Sequence, residues 1–162
     1  MSLPEVNTIL YTSSLGKHTR PVFRHAVKMA SLYQAKIVML HVVEPISDYG
    51  QAVIHNYLPD ALIKTIHDDG LEQVKGTMKQ RVVAFYEEEM AMLESPSKPV
   101  VEVVVADGKR SEEIVSLSQQ IDADMIVMGS HNSFGRSSRT TRQVIKYAGR
   151  PVVVVPTRSA KK

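Results

Sequence analysis

A segment rich in glycine, serine and arginine, residues 128–143 (MGSHNSFGRSSRTTRQ), contains residue types that bind phosphate. Backbone N–H groups in a glycine turn and at a helix N-terminus hold anions, and arginine adds bidentate hydrogen bonds. We predict a helix beginning near Ser137, with Arg136 and Arg139 beside its N-terminus. In a second interpretation Ser137 or Ser138 only caps the helix, and both arginines stay in solvent. The residue types alone do not separate the two.

This segment matches no established phosphate-binding or acyl-transfer motif. A Walker A loop has the pattern G-x4-G-K-S/T, whereas five residues separate Gly129 from Gly135 here, and Arg136 follows. The Rossmann G-x-G-x-x-G pattern is absent, and Ser130 does not lie in the G-x-S-x-G turn of hydrolases. The chain has no cysteine, which excludes thiolate nucleophiles and cysteine metal sites. We therefore predict no catalytic residue.

The histidines do not form a metal-binding pattern. No two of them share the i, i+4 spacing that places two ligands on one helical turn, so we predict no metal site. We predict that His41, in the apolar run MLHVV, is a buried or half-buried structural histidine. His131, beside the glycine turn, is a candidate anion contact, or else an ordinary loop histidine. The full set is His18, His25, His41, His55, His67 and His131.

Length and composition predict one soluble domain. A chain of 162 residues that is 43% hydrophobic can form one core. We expect a single domain over residues 1–162, with a flexible tail at residues 157–162. No stretch approaches the roughly 20 apolar residues that cross a bilayer, and the start MSLPEVNTIL lacks a secretory pattern. We therefore expect a cytoplasmic protein without a membrane partner.

The charge of the chain is unevenly distributed. The chain has 20 basic residues, of which 12 lie in residues 1–124 together with all 17 acidic residues. Residues 125–162 contain the other 8 basic residues and no acidic one. This positive end is either a solvated helix face with a basic tail or an anion site. We expect no nucleic-acid partner, because interleaved aromatic residues and the known binding motifs are absent.

Five apolar runs predict the strands of a parallel sheet. They are nearly continuous, as expected for strands covered on both faces, and lie at residues 7–13, 36–43, 100–106, 124–129 and 151–156. The alternation of strands and helices predicts an α/β three-layer sandwich. Ligands of such sheets bind at the carboxyl ends of the strands, which indicates the ends of the first and fourth runs.

Apolar stripes at helical spacing separate these runs. The residues expected to face the core are Phe23, Ala26, Val27 and Ala30, then Leu71, Val74, Met78, Val82 and Phe85, then Ile114, Leu117 and Ile121, and last Val144, Ile145 and Ala148. We predict an irregular loop at residues 44–58. Glu87, Glu88 and Glu89 are expected on a solvated helix face.

Three segments, in their order and spacing, resemble the universal stress protein family over nearly the whole chain. They are ILYTSSLGKHTRPVFRHAVKMASLYQAKIVMLHVVEP at residues 9–45, DGKRSEEIVSLSQQIDADMIVMGSH at residues 107–131 and QVIKYAGRPVVVVP at residues 143–156. The resemblance implies an adenine nucleotide alpha hydrolase-like fold, with a five-stranded parallel sheet of order 3-2-1-4-5. It also implies a small cytoplasmic protein, usually a homodimer, that is associated with survival under stress.

The family has members that bind ATP and members that do not. ATP-binding members resemble G-x2-G-x9-G-S/T after the fourth strand, with an aspartate at the end of the first. In this chain Gly129 matches the first glycine, but Asn132 occupies the second position. The final pair falls on Ser138 and Arg139, so the loop is four residues shorter, and Ser14 replaces the aspartate. Asn132 adds a Cβ where backbone approaches phosphate, and the shorter loop has fewer donors.

The resemblance implies a degenerate nucleotide pocket, since Val42, Met128, Gly129 and His131 keep positions that line the nucleotide in ATP-binding members. We expect a stress-response protein without enzymatic turnover and without a required cofactor. The alternatives are an ATP or AMP sensor that uses the loop at residues 129–138 and, third, a slow ATPase. The candidate nucleotide- or anion-binding residues are Thr12, Ser14, Val42, Met128, Gly129, His131, Asn132, Arg136, Ser138 and Arg139.

The last apolar run, PVVVVP at residues 151–156, is a candidate dimer interface. As the final strand in the family's order it lies at a sheet edge, where unpaired backbone groups and valines need cover. Pairing with the same strand of a second copy gives a closed, self-complementary interface. The predicted interface residues are Val152, Val153, Val154 and Val155. Alternatively, a loop or the TRSAKK tail covers this edge.

Overall fold

The computed structural model describes residues 1–13, 19–44, 60–94, 98–130 and 139–157, and for residues 60–69 it describes the backbone alone. Strands and helices alternate along these ranges, which confirms the predicted α/β class. The elements are β1 (Thr8–Thr12), α1 (Arg20–Tyr33), β2 (Lys36–Val43), α2 (Asp60–Met92), β3 (Val101–Asp107), α3 (Arg110–Gln120), β4 (Met125–Gly129), α4 (Arg139–Tyr147) and β5 (Val152–Val155).

The strands form one parallel sheet of order β3-β2-β1-β4-β5, which confirms the predicted order. Strand β1 lies at the centre, where Tyr11 is paired with Met39 of β2 and Val127 of β4. The start of β1 is fixed to β4 by Asp124, whose Oδ2 accepts hydrogen bonds from the backbone N–H groups of Asn7 at 2.8 Å and Thr8 at 3.0 Å.

Helices cover both faces of the sheet. Alternate residues of β1 point to opposite faces, so Tyr11 packs with Phe23 of α1, while Leu10 packs with Ile114 of α3 and Val144 of α4. Helix α2 lies on the same face as α1 and contributes Val82 to that core. This double cover explains why the strand runs are continuously apolar. No helix within the described ranges is long and apolar enough to cross a membrane.

Two residues of the predicted apolar stripes are exposed instead of buried. Val74 of α2 is 42% exposed and Ile145 of α4 is 55% exposed. Helix α2 has 33 residues and a length of roughly 50 Å, against roughly 23 Å for the strand β3 that it contacts, so part of α2 extends beyond the sheet. Ile145 adjoins Val144 in sequence, but successive helical residues point about 100° apart.

The prediction that Glu87 to Glu89 lie on a solvated face is correct for Glu87 and Glu88 and wrong for Glu89. The Glu89 side chain has no exposed surface, and its carboxylate lies 3.0 Å from Arg20 Nε and 3.3 Å from Arg24 Nε. These arginines are one turn apart on α1, which packs against α2. The neighbouring Glu88 also contacts Arg20, at 3.1 Å, but is 61% exposed. A buried carboxylate requires such opposite charges to offset its desolvation.

We expect the substitution Glu89→Gln to lower the free energy of unfolding by roughly 2 kcal/mol. This value lies below the roughly 3–5 kcal/mol of a fully buried pair, because both arginines can reach water. The midpoint of thermal unfolding should fall by roughly 4–8 °C for a chain of this length. The matched change Glu88→Gln should stay within about 0.5 kcal/mol. Equal losses in the two variants, measured by urea unfolding, would contradict this account of Glu89.

Candidate functional site

The carboxyl ends of β1 and β4 are adjacent in the sheet. Tyr11 is paired with Val127, so Thr12 at the end of β1 lies beside Met128 and Gly129 at the end of β4. The helices that follow these two strands lie on opposite faces, α1 on one and α4 on the other. In parallel α/β sheets this arrangement of helices marks the position where ligands bind, in a crevice at the carboxyl ends of the two strands. We name this position the crevice.

One side of this crevice is apolar. Val42 and Met128 are buried, with 4% and 3% of their surface exposed, and both belong to the core cluster on the face of α3 and α4. Thr12 is half-buried and, two residues after Leu10, points to the same face. The structure thus places three of the predicted site residues on one face of adjacent strands, two of them within the core cluster.

Gly129 faces the other side, towards α1. A Cβ added to this glycine would lie 2.7 Å from Thr157 Cγ2 and 3.4 Å from Val22 Cγ2. The segment that follows β5 is held here, since the backbone N–H of Ser130 donates to the Val155 carbonyl at 3.0 Å and that of Thr157 to Ser130 Oγ at 3.3 Å. Close packing by Thr157 therefore explains why position 129 is a glycine, without reference to a ligand.

Helix α4 is tied to the same strand end. The buried hydroxyl of Thr141 donates to the Gly129 carbonyl at 3.0 Å. Arg139, predicted as an anion contact, is the first residue of α4 and is exposed. Thr141 and Thr157 were not predicted as part of this region. Their role depends on contacts between distant segments, which leave no signal in the sequence.

His41 of β2 supports the backbone at the end of β1. It is 8% exposed, and its Nδ1 lies 2.8 Å from the carbonyl oxygen of Ser13. A carbonyl only accepts, so the neutral ring carries its proton on Nδ1. Burial lowers the pKa of His41, the charge of Arg110 lowers it further, and the hydrogen bond to Ser13 opposes the shift. His41 is thus a buried structural histidine, as predicted.

Groups able to transfer protons near Gly129 are weakly suited to that task. Burial, together with the charge of Glu89, raises the pKa of Tyr11 to about 12 against hydrogen bonds from Ser13 and Thr19, so its phenol stays neutral at physiological pH. Two described carboxylates lie at the carboxyl ends of β2 and β3 and are ion-paired. Glu44, just after β2, pairs with Arg110 at 3.9 Å, and Asp107, the last residue of β3, pairs with Lys75 at 3.0 Å. Neither carboxylate follows β1 or β4.

Several predictions fall outside the described residues. These are the site residues Ser14, His131, Asn132, Arg136 and Ser138, the start of a helix near Ser137, and nearly all of the loop predicted at residues 44–58. In the described part of the chain, no group of three or more histidine, aspartate or glutamate side chains is arranged to hold a metal ion.

Comparison with known proteins identifies the family. Residues 5–156 match the sequence profile of the Universal stress protein family. Universal stress protein MJ0577 of Methanocaldococcus jannaschii is 23% identical over 151 residues, which cover 91% of this chain and 93% of that protein. Because the family profile spans nearly the whole chain, the protein belongs to the universal stress protein family.

Solved structures of the family share this fold. Universal stress protein UspA from Lactobacillus plantarum superimposes with a TM-score of 0.73 at 20% identity, covering 94% of this chain and 99% of that one. A universal stress protein in complex with cAMP superimposes with a TM-score of 0.61 at 14% identity, covering 95% and 99%. At these identities the structural likeness establishes the fold.

We expect Gly129→Ala to destabilise the protein by roughly 1–3 kcal/mol, the cost of overpacking, because its methyl group would overlap Thr157 Cγ2. Adding Thr157→Ser removes that methyl group, keeps the hydroxyl, and should restore most of the loss. Thr157→Ser alone is the matched control and should have a small effect. Chemical unfolding measures all three variants, and a double variant as unstable as Gly129→Ala would show that Thr157 does not fix the glycine.

Proposed function

We propose that this chain is a cytoplasmic stress-response protein without enzymatic turnover, and that the crevice between β1 and β4 is a degenerate nucleotide pocket. One observation carries the proposal: the apolar wall of Val42 and Met128 is intact, while Thr157 occupies the space beside Gly129. The wall suits an adenine ring, whereas the phosphate side departs from the ATP-binding pattern at Ser14, Asn132 and in loop length.

The described chemistry also supports the absence of turnover. Hydrolysis of a phosphoanhydride needs a group that positions or deprotonates water close to the phosphate. Tyr11 stays protonated because of its pKa of about 12. Glu44 and Asp107 lie at the ends of β2 and β3, and each is paired with a cation. These features disfavour a slow ATPase.

A second candidate is a sensor of an adenine nucleoside monophosphate such as AMP. The family member bound to cAMP favours it, because that ligand joins an adenine ring to a single phosphate. A monophosphate needs fewer backbone donors than ATP and therefore tolerates a shorter loop. The exposed Arg139, with Arg136, would supply the positive charge.

We expect ATP to bind with a dissociation constant above roughly 100 μM, equivalent to a binding free energy weaker than about 5.5 kcal/mol. The missing aspartate, the Cβ of Asn132 and the short loop each remove a contact to the nucleotide. Isothermal calorimetry with ATP and AMP measures this directly. Low-micromolar binding of ATP would overturn the degenerate pocket, and tighter binding of AMP than of ATP would select the sensor.

Two further assays refine that experiment. For any nucleotide that binds, the double change Arg136→Ala and Arg139→Ala should abolish binding, while the control Lys28→Ala on exposed α1 surface should leave it unchanged. Unchanged affinity in the arginine variant places the site elsewhere. Phosphate release from ATP separates an ATPase from a sensor, and we expect none above the uncatalysed rate.

We also propose a homodimer joined through β5. Among the described strands, β5 pairs with β4 on one side only. Three of the four valines of β5 remain half-buried, so this edge strand exposes apolar surface. They are Val152, Val153 and Val154. An edge with free backbone groups and partly exposed valines is an aggregation risk unless it is covered, and the same strand of a second copy covers it symmetrically.

We expect Val153→Lys or Val154→Lys to shift the protein towards monomer or precipitation, because a charge buried on the face of the joined sheet is costly. Size-exclusion chromatography with light scattering at micromolar concentration measures the state. Leu32→Lys is the control, since Leu32 is 69% exposed on α1 and is not part of β5. A monomeric unmodified protein, or lysine variants that remain fully dimeric, would exclude β5 as the interface.

A further inference from the structure

Helix α4 presents a basic stripe, which we define as Arg139, Arg142 and Lys146. All three are exposed, while Thr141 and Val144 face the core. Their i, i+3 and i+7 spacing places them on one face of the helix. Helix α4 contains no acidic residue, and no described carboxylate forms an ion pair with the stripe. Arg150, just beyond α4, differs in that it is paired with Asp122 at 3.1 Å.

A groove of about 460 Å³ lies beside this stripe, between α3 and α4. Residues from Lys109 to Gln119 line its α3 side, a length of roughly 15 Å along the helix. That length fits four or five residues of extended chain at roughly 3.3 Å each. The lining residues are Lys109, Ser111, Glu112, Val115, Ser116, Gln119, Gln143 and Tyr147.

The lining of the groove suits a peptide better than a polyphosphate backbone. Amide side chains such as Gln119 and Gln143 both donate and accept hydrogen bonds, as peptide N–H and C=O groups require. Phosphate offers acceptors only, so it would leave the amide oxygens of these glutamines without a donor. Glu112 in the groove is ion-paired with Lys109 at 3.7 Å. Val115 and the 57% exposed Tyr147 provide an apolar contact for one side chain. Lys146 Nζ lies 5.2 Å from the Tyr147 ring centroid, so charge and apolar surface adjoin.

We propose that the groove between α3 and α4 binds an extended acidic segment of a partner protein, with the basic stripe pairing its carboxylates. Charge complementarity argues for this occupant, because the stripe is a row of cations without acidic neighbours on its helix. The mixed hydrogen-bonding lining selects a peptide among polyanions. The groove and two residues of the stripe, Arg142 and Lys146, lie outside the proposed nucleotide pocket, whereas Arg139 is shared by both.

Fluorescence anisotropy tests this with a labelled twelve-residue peptide of glutamate and serine that has one central phenylalanine. We expect binding that weakens as salt screens the charges. The double change Arg142→Glu and Lys146→Glu should reduce affinity by roughly tenfold or more, about 1.4 kcal/mol. The control Lys28→Glu and Lys36→Glu makes the same change in net charge at exposed positions outside α3 and α4, and should change affinity less than about twofold.

A second variant distinguishes binding in the groove from attraction to the basic stripe alone. Ser116→Trp keeps the charge and fills the groove, so it should also weaken the peptide at least severalfold, with circular dichroism confirming the fold. A single-stranded oligonucleotide of equal charge is the competing probe. The proposal fails if the peptide does not bind, if both charge-reversal variants behave alike, if Ser116→Trp has no effect, or if the oligonucleotide binds more tightly than the peptide.

Discussion

The pairing of β1 with β2 on one side and β4 on the other determines where each proposed functional surface of this protein lies. Tyr11 stands between Met39 and Val127 in the register, so β1 is central and its two neighbours continue in opposite directions across the sheet. The helices after β1 and β4 must then leave on opposite faces. The crevice at the ends of β1 and β4, the helix α4 and the edge strand β5 all follow from that divergence.

The strands and their order were predictable because their cause is local and repeated. A strand covered on both faces has a continuous apolar sequence. The order of the strands in the sheet came from the family resemblance. Burial that depends on a partner helix was not predictable in the same way. Glu89 lies in a run of three glutamates, and only the position of Arg20 and Arg24 on α1 distinguishes it from Glu88. Val74 and Ile145 fit an apolar stripe but lie outside the contact areas of their helices.

The residues of the candidate site also divide into those that the sequence predicted and those that it did not. Val42 and Met128 came from the resemblance and Thr12 from its position at the end of the first strand, and strand alternation independently places all three on one face. Gly129 was predicted for its approach to phosphate, yet its Cβ space is filled by Thr157, a residue 28 positions later in the chain. Thr141 and Thr157 carry no periodic or motif signal, because a side chain that meets a strand end from another element leaves no pattern in the sequence.

Helix α4 connects the two sites proposed for this chain, and the strength of that connection can be estimated. Its outer face carries Arg142 and Lys146 beside the groove, while Thr141 on its inner face donates to the Gly129 carbonyl at the crevice. A hydrogen bond of this kind contributes about 1 kcal/mol. If that bond alone transmitted a ligand's effect, the affinity at the other site would change roughly fivefold. A larger coupling would require α4 to have a second packed position on the sheet, with Val144 and Ala148 displaced from the core.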